Sequence, residues 1–221
     1  MKKLSMLVVL TVVVMLSFAA CSNYDEPFMQ KTYEADGTQI REIQMNVRDR
    51  QIEVSLSADS QIHIDYFENS REYYDISVSD NGVLTMKTAV DKEWTDYIGG
   101  KVAAENRKIS LRIPDALLSS LKLSTTNEDI LLSAVTVTDT LSVFQNGGNL
   151  IFDKVNAGKA IAFTAKNGNI SGTIVGGYDD YDIACEIKKG KSNLPADKKG
   201  GAKTLRVSAN NGNVTIDFYK S

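Results

Sequence analysis

The sequence predicts an all-β fold, a β-solenoid of about 20-residue coils with a less regular antiparallel N-terminal part. Three observations support this: a repeat, an alternation of apolar residues within each copy, and a turn that places an Asp or Asn after a glycine. The copies, whose starts are 20, 20 and 44 residues apart, are LKLSTTNEDILL from Leu121, LSVFQNGGNLIF from Leu141, IAFTAKNGNISG from Ile161 and LRVSANNGNVTI from Leu205. An antiparallel β-sandwich with tight hairpins is the alternative.

Each copy has the pattern of a strand, a turn and a second strand. Its first and third residues are apolar, which is typical of a strand with one buried face. A single copy is too small to bury this face alone, so we expect the third residues, Leu123, Val143, Phe163 and Val207, to stack on one another. The residues after the turn glycine should form another column: Asp129, Asn149, Asn169 and Asn213. Glu128 stands where the later copies have Gly, so the first turn should differ in conformation.

Two further segments fit the same pattern less closely. IACEIKKGKSNL from Ile183 lies in the 44-residue gap and places Gly190 at the turn. IQMNVRDRQIEV from Ile43 has apolar residues at the equivalent positions. We therefore expect one additional coil between the copies from Ile161 and Leu205, and a more degenerate one near the start of the domain.

The N-terminal half predicts shorter strands and few helices. Alternating apolar residues mark six strands, at 42–47, 52–56, 61–66, 74–79, 83–87 and 108–113. Asp80-Asn81-Gly82 is a hairpin signal between two of them, and one helical turn is expected at 116–120 after Pro114. We expect antiparallel strands here that cap one end of the solenoid.

The first residues have the pattern of a secretory signal. Lys2 and Lys3 precede an apolar stretch at 4–16, and Ala19 and Ala20 precede Cys21. This resembles the bacterial lipobox, with Phe18 in place of the usual Leu, which implies cleavage before Cys21 and lipidation of its sulfur. An uncleaved transmembrane anchor is the alternative.

This interpretation divides the chain into a lipoprotein signal peptide at 1–20, the lipidated Cys21 and a flexible tether at 21–37, and a single domain at 38–221. The predicted location is the cell envelope, on the outer side of the cytoplasmic membrane or at the outer membrane. Acyl chains bury enough methylene groups to anchor a protein when two or three are present.

A family resemblance supports the fold. The segment IPDALLSSLKLSTTNEDILL and the turns Asn167-Gly168-Asn169 and Asn211-Gly212-Asn213 resemble those of bacterial cell-envelope proteins known as "putative adhesins", β-solenoids of unknown function. The resemblance extends over about residues 40–218. It implies a binding or structural role and supplies no catalytic residues to transfer.

Composition excludes several classes of function. The chain of 221 residues has 25 Lys and Arg against 28 Asp and Glu, a net charge of −3, which does not suit a general nucleic-acid binder. With Cys21 lipidated, Cys185 has no partner for a disulfide and shares a strand face with Ile183 and Ile187, so we expect a buried thiol.

No catalytic, metal or cofactor site is predicted. His63, the single histidine, shares a strand face with Asp65, but no nucleophile motif accompanies this pair. One imidazole and one thiol are too few ligands for zinc. The Asp and Asn column could offer oxygens to calcium, but a hydrogen-bonded ladder is favoured because three of its four members are neutral amides.

Aromatic residues in two loops are the candidate binding residues. Trp94 and Tyr97 lie in DKEWTDYIGGKVAAEN, and Tyr178 and Tyr181 in GGYDDYD. Such side chains can stack on sugars or anchor a partner protein. The segment at 188–203 adds six lysines that could attract an anionic glycan or a lipid surface.

The predicted function is that of a non-catalytic envelope lipoprotein, an adhesin or a binding and structural module for a glycan or an envelope protein, attached to the membrane by lipid. The first alternative is a carbohydrate-active enzyme that cleaves polysaccharides, with Asp179, Asp180 and Asp182 as candidate carboxylates. The second is an accessory protein of the envelope stress response. The sequence does not predict an oligomeric state.

Overall fold

A computed structural model of the chain describes residues 26–90 and 102–220. Its strands are β1 (Met29–Asp36), β2 (Glu42–Asn46), β3 (Gln51–Leu56), β4 (Gln61–Glu68), β5 (Glu72–Val78), β6 (Val83–Val90), β7 (Lys108–Ile113), β8 (Ser120–Thr125), β9 (Ile130–Ser133), β10 (Thr136–Val137), β11 (Thr140–Gly147), β12 (Leu150–Ala157), β13 (Ala160–Asn167), β14 (Ile170–Val175), β15 (Tyr181–Lys189), β16 (Asp197–Lys198), β17 (Lys203–Asn211) and β18 (Val214–Tyr219). Three short 3-10 helices, Gly37–Gln39, Ala104–Arg107 and Tyr178–Asp180, are the helical elements of this part of the chain. All six strands predicted in the N-terminal half are present.

The strands form two sheets that enclose the core between them. Sheet A has the order β1-β4-β7-β3-β9-β12-β14-β18, with β10 attached to β12. Sheet B has the order β16-β15-β17-β13-β11-β8-β2-β6-β5. Consecutive strands of the repeat alternate between the two sheets, and neighbouring copies pair in parallel, as in a solenoid. The predicted solenoid is therefore confirmed and the sandwich alternative is wrong.

The repeat copies stack in the predicted register. Val143 lies opposite both Leu123 and Phe163, and Phe163 lies opposite Val207. All four are almost fully buried. The copy from Ile43 joins the same column because Ile43 pairs with Leu121, and the copy from Ile183 joins it because Ile183 pairs with Leu205. These columns form one continuous hydrophobic core.

The order of coils in space differs from their order in the chain at both ends. In sheet B the final repeat strand, β17, lies between β13 and β15, although β15 precedes it in sequence. At the other end, β2 and β3 lie between the coil formed by β6 and β7 and the coil formed by β8 and β9. At each end of the solenoid, the two outermost coils therefore lie in the reverse of their order in the chain.

The N-terminal end is closed by antiparallel strands, as predicted. Strand β5 pairs with β6 across the Asp80-Asn81-Gly82 turn, and β4 pairs antiparallel with β7. The assignment of 21–37 to a tether is wrong for Met29–Asp36, because this segment is β1 and pairs along its whole length with β4. The helical turn expected at 116–120 is also wrong, since Ala116 has a left-handed φ of 53°.

The C-terminal end is closed by the segment between β15 and β17. Leu194 is buried, and β16 adds an antiparallel strand to β15. The side-chain amide of Asn193 bonds the backbone of β18 as a neighbouring strand would. Its Oδ1 accepts from the Ile216 N–H at 2.9 Å, and its Nδ2 donates to the Ile216 carbonyl at 2.9 Å. Across the described ranges, no helix has the length and apolar character needed to cross a membrane.

Candidate functional site

The column of Asp and Asn side chains is a hydrogen-bonded ladder. Asp129 Oδ1 accepts from the Asn149 N–H at 2.6 Å, and Asn149 Oδ1 accepts from the Asn169 N–H at 3.1 Å. Asn169 Oδ1 in turn accepts from the Asn213 N–H at 2.9 Å. The predicted ladder is confirmed, and its oxygens serve the backbone of the next coil.

His63 and Asp65 do not pair with each other. His63 Nδ1 lies 3.2 Å from Glu34 Oε1, and its Nε2 lies 3.0 Å from Asp59 Oδ1. Asp65 accepts instead from Arg112 at 2.6 Å. Hydrogen bonds to Asp59 from the Gln61 N–H and then from His63 lower the pKa of Asp59 to about 2. These contacts tie β1 and the loop before β4 to the β4 strand.

The four aromatic residues predicted to bind a ligand differ in where they lie. Trp94 and Tyr97 lie outside the described residues. Tyr178 is 41% exposed and packs edge-on against Phe218, with ring centroids 5.5 Å apart. Tyr181 is fully buried and donates its hydroxyl hydrogen to the Val175 carbonyl at 3.0 Å, so its prediction as a surface contact is wrong. Burial raises the pKa of Tyr181 to about 12.

The carboxylates of the GGYDDYD loop hold the loop itself. Asp180 Oδ2 accepts from the Gly177 N–H at 2.6 Å, and Asp182 Oδ1 accepts from the Gly201 N–H at 2.8 Å. Asp179 lies 3.7 Å from the ammonium of Lys198. Each carboxylate therefore has a structural partner in this loop or in the cap.

The six lysines of the segment at 188–203 fall into two groups. Lys198 donates to the Tyr181 carbonyl at 3.0 Å, Lys199 lies 2.8 Å from Asp197, and Lys203 donates to Asn156 Oδ1 at 3.2 Å. The other three, Lys188, Lys189 and Lys191, are exposed around the turn that follows β15. Lys198 and Lys203 thus belong to the cap, whereas the other four lysines face solvent. Cys185 is buried, as predicted.

The outer surface of sheet B carries a groove made of residues outside the predicted loops. One depression of about 420 Å³ crosses β13, β17 and β15 over the outward side chains Ala162, Thr164, Ala184, Glu186, Arg206 and Ser208. A second depression, of about 210 Å³, crosses β2, β8 and β11 over Gln44, Asn46, Lys122, Ser124, Ser142 and Phe144. We call the two together the sheet B groove.

Phe144 of β11 lines the smaller depression on the side next to β13, where the larger depression begins. Its side chain is 38% exposed, and its neighbours in register are Ser124 and Thr164. The ammonium of Lys166 lies 5.5 Å from the centre of its ring. The groove therefore presents one aromatic ring amid hydroxyl and amide side chains.

Charge is distributed unevenly along the groove. Lys122 donates to Glu42 at 2.6 Å, and this hydrogen bond lowers the pKa of Glu42, so the pair stays ionised and neutralises the β2 end. At the other end, Arg206 and Glu186 are both exposed, and neither has an ion-pair partner within the described ranges. On the same face lie the cations Lys166, Lys188 and Lys199 and the carboxylates Asp182 and Asp197, so cations exceed carboxylates by one at the β15 end.

A signal for this groove is present in the sequence. The fourth residue of each copy faces outward, and it is Ser124, Thr164 or Ser208 in three copies but Phe144 in the copy from Leu141. An aromatic residue at an outward position within a polar column marks exposed apolar surface. Its importance depends on the depressions beside it, which arise from the stacking of separate coils.

This fold is similar to that of solved bacterial proteins, and the sequence matches a family model. A solved structure titled as a "putative cell adhesion protein" from Clostridium sporogenes superposes with a TM-score of 0.61 and 13% identity, covering 87% of this chain and 100% of that chain. A "putative adhesin" from Bacteroides fragilis matches with a TM-score of 0.40 and 14% identity, covering 86% of this chain and 97% of the other. No curated protein matches the sequence. Residues 40–220 match the sequence model described as Toastrack DUF4097.

Proposed function

The chain belongs to the Toastrack DUF4097 family, and from that premise we propose that it is a non-catalytic binding module of the cell envelope that holds a glycan chain in the sheet B groove. The observation that carries this proposal is the exposed ring of Phe144, which lines the smaller depression on the side that faces the larger one. The name of the superposed protein from Clostridium sporogenes, a cell adhesion protein, agrees with a binding role.

The chemistry of the groove suits a sugar chain. A sugar ring has apolar C–H faces that pack on an aromatic ring, and its hydroxyl groups need hydrogen-bond partners when they leave water. Phe144 provides the first when the flexible Lys166 side chain, whose ammonium lies over the ring, moves aside. Ser142, Thr164 and Ser208 provide donors and acceptors on the same surface. Because the sheet is continuous, these groups are held rigidly before binding, which limits the entropy lost on association.

The shape of the groove favours an extended chain. It runs across six strands, from β2 to β15, in the direction in which the coils stack. Five strand spacings of about 4.8 Å give a length of roughly 24 Å. A linear oligosaccharide lying along this axis would contact equivalent outward positions of successive coils.

A test uses the purified full chain on a glycan array, with Phe144→Ala and a matched control, Ile151→Ala. Ile151 is 43% exposed, compared with 38% for Phe144, but lies on sheet A. We expect Phe144→Ala to weaken binding to any recognised glycan at least ten-fold, about 1.4 kcal/mol, while Ile151→Ala binds normally. Equal binding by Phe144→Ala and the unsubstituted chain would exclude the groove as the site.

We further propose that Cys21 carries the lipid that holds the module at the outer side of the cytoplasmic membrane or at the outer membrane. The pattern of Lys2, Lys3, the apolar stretch and Ala19-Ala20 before Cys21 supports this. Cells fed an alkyne fatty acid should label the protein, and Cys21→Ser should remove the label. Cys185→Ser, which changes the other thiol, should keep it; labelling of Cys21→Ser would contradict lipidation at this residue.

A further inference from the structure

We propose that the sheet B groove selects an acidic glycan, a polymer whose sugars bear carboxylate groups, and binds its charged groups at the end formed by β13, β17 and β15. This inference rests on the proposed function, because it names the class of ligand for the same groove. It follows from the placement of three cations around the larger depression.

Arg206 is the central cation. It projects outward from β17 between Ala162 of β13 and Ala184 of β15, its neighbours in register. Two small methyl side chains on either side leave the guanidinium accessible above the floor of the depression. A guanidinium can donate two parallel hydrogen bonds to one carboxylate, so this position suits a uronic acid group.

Two lysines extend the positive charge along the same face. Lys166 of β13 reaches over the Phe144 ring, and Lys188 lies near the end of β15. Glu186 is the one carboxylate among the outward residues that line the larger depression. When Asp182, Asp197 and Lys199 of the same face are counted, cations exceed carboxylates by one. The attraction of a negatively charged chain therefore depends mainly on Arg206, whereas a neutral chain gains nothing from this charge.

The β2 end of the groove has no excess charge, so the positive charge is confined to the β15 end and the groove is not a general basic surface. Lys122 is neutralised by Glu42 at 2.6 Å, so the β2 end offers amide and hydroxyl groups without excess charge. An acidic ligand therefore binds with its charged groups towards β15. The overall charge of −3 also opposes binding of polyanions elsewhere on the chain.

The test compares uronic-acid polymers with neutral forms of themselves. The probes are polygalacturonate, alginate and hyaluronan, each paired with a preparation whose carboxyl groups have been reduced to alcohols. We expect at least one acidic form to bind the full chain at least ten-fold more tightly than its reduced partner. We also expect that affinity to fall as NaCl is raised from 50 to about 500 mM, because salt screens exposed charges.

Variants locate the effect. Arg206→Gln should weaken binding of the acidic form at least ten-fold and leave the reduced form unchanged within two-fold. Lys87→Gln is the matched control, since Lys87 is an exposed cation on the same sheet, outside the groove, on β6. Thermal unfolding of both variants verifies that they are folded.

The other outcomes separate this inference from the proposed function. Equal affinity for acidic and reduced forms, lost in Phe144→Ala, would overturn the acidic selection and leave the glycan groove intact. Absence of Phe144-dependent binding to any glycan on the array or in this panel would overturn both. Tighter binding to phosphatidylserine vesicles or to single-stranded DNA, with the same loss in Arg206→Gln, would show that the cations serve a different polyanion.

Discussion

Gly168 shows how a single residue limits the distance between coils. Its φ is +147°, and a Cβ placed on it would overlap the Gly148 carbonyl oxygen of the neighbouring coil. We expect Gly168→Ala to lower the free energy of unfolding by about 3 kcal/mol or more, because both backbone strain and a backbone contact oppose the methyl group. Urea denaturation measures this.

Gly200 is the matched control for that substitution. Its φ is +104°, but a Cβ there would meet no atom within 4 Å. Gly200→Ala should therefore cost only the conformational penalty, about 1 kcal/mol. If the two alanine variants lost equal stability, close stacking of the turns would not be what requires glycine at 168.

Arg50 and Glu72 form an ion pair inside the N-terminal end. Arg50 is 2% exposed, and its Nη2 lies 2.6 Å from Glu72 Oε2, while its Nε donates to the Tyr74 hydroxyl at 2.6 Å. Removing one partner leaves a buried charge without compensation, so Glu72→Leu should cost about 3–5 kcal/mol. Arg50→Met combined with Glu72→Leu should recover part of that loss in urea denaturation. A double variant as unstable as the sum of its parts would contradict this account.

Asp59 makes stability depend on acid. Its pKa is about 2 in the folded chain, against about 3.9 for an unfolded aspartate. Because the folded pKa is the lower one, this carboxylate stabilises the fold above pH 4 and loses that effect as the pH falls towards 2. The difference in melting temperature between the unsubstituted chain and Asp59→Asn should shrink over this range. Asp75→Asn, a change of another exposed aspartate, serves as the control; a constant difference for Asp59→Asn would contradict the assignment.

Among the strands, β18 is covered by the segment after β15, whose backbone bonds Val214 and whose Asn193 side chain bonds Ile216. Asn193 pairs with both backbone groups of Ile216 and so occupies an edge that would otherwise be open to another strand. Asn193→Ala should speed hydrogen exchange at the Ile216 amide and lower the free energy of unfolding by about 1–2 kcal/mol. Asn210→Ala, on the outward face of β17, should leave the Ile216 amide protected. Unchanged exchange in Asn193→Ala would show that other contacts close this edge.

The repeat strands were predictable because their signal is local. Apolar residues alternate and the turn glycines recur, so the columns through Leu123 and Asp129 follow from the sequence pattern alone. Strand β1 does not, because Met29–Asp36 does not alternate strictly and becomes a strand by pairing with β4. The burial of Tyr181 was available in the sequence, since it has the same parity as Ile183 in β15.

The order of the coils and the groove have a different cause. Ile161, Ile183 and Leu205 are interchangeable as neighbours in the apolar column, so sequence pattern does not decide whether β15 or β17 lies beside β13. That order nevertheless decides which outward residues meet, and it places Arg206 beside Ala162 and not beyond Ala184. The candidate site therefore depends on long-range pairing, whereas the fold class depends on local pattern.

At the scale of the whole molecule, stability should be approximately additive over coils, because each contacts mainly its neighbours. Deleting residues 141–160 removes one coil and would bring Phe163 opposite Leu123 and Asn169 beside Asp129, restoring both columns. We expect this variant to fold, with a lower free energy of unfolding and a smaller urea m-value, since less surface is exposed on unfolding. It should not bind glycan, because Phe144 is lost.

Deleting only residues 141–150 is the decisive comparison for that variant. Ten residues are half of a coil, so the turn column and the apolar columns of the two sheets would be placed out of register, and the remaining strands could not bury both faces. Circular dichroism and urea denaturation should show a cooperative fold for the twenty-residue deletion alone. If both deletions unfold the chain, or if both are tolerated, the coils are not equivalent units, and contacts specific to each coil determine the fold.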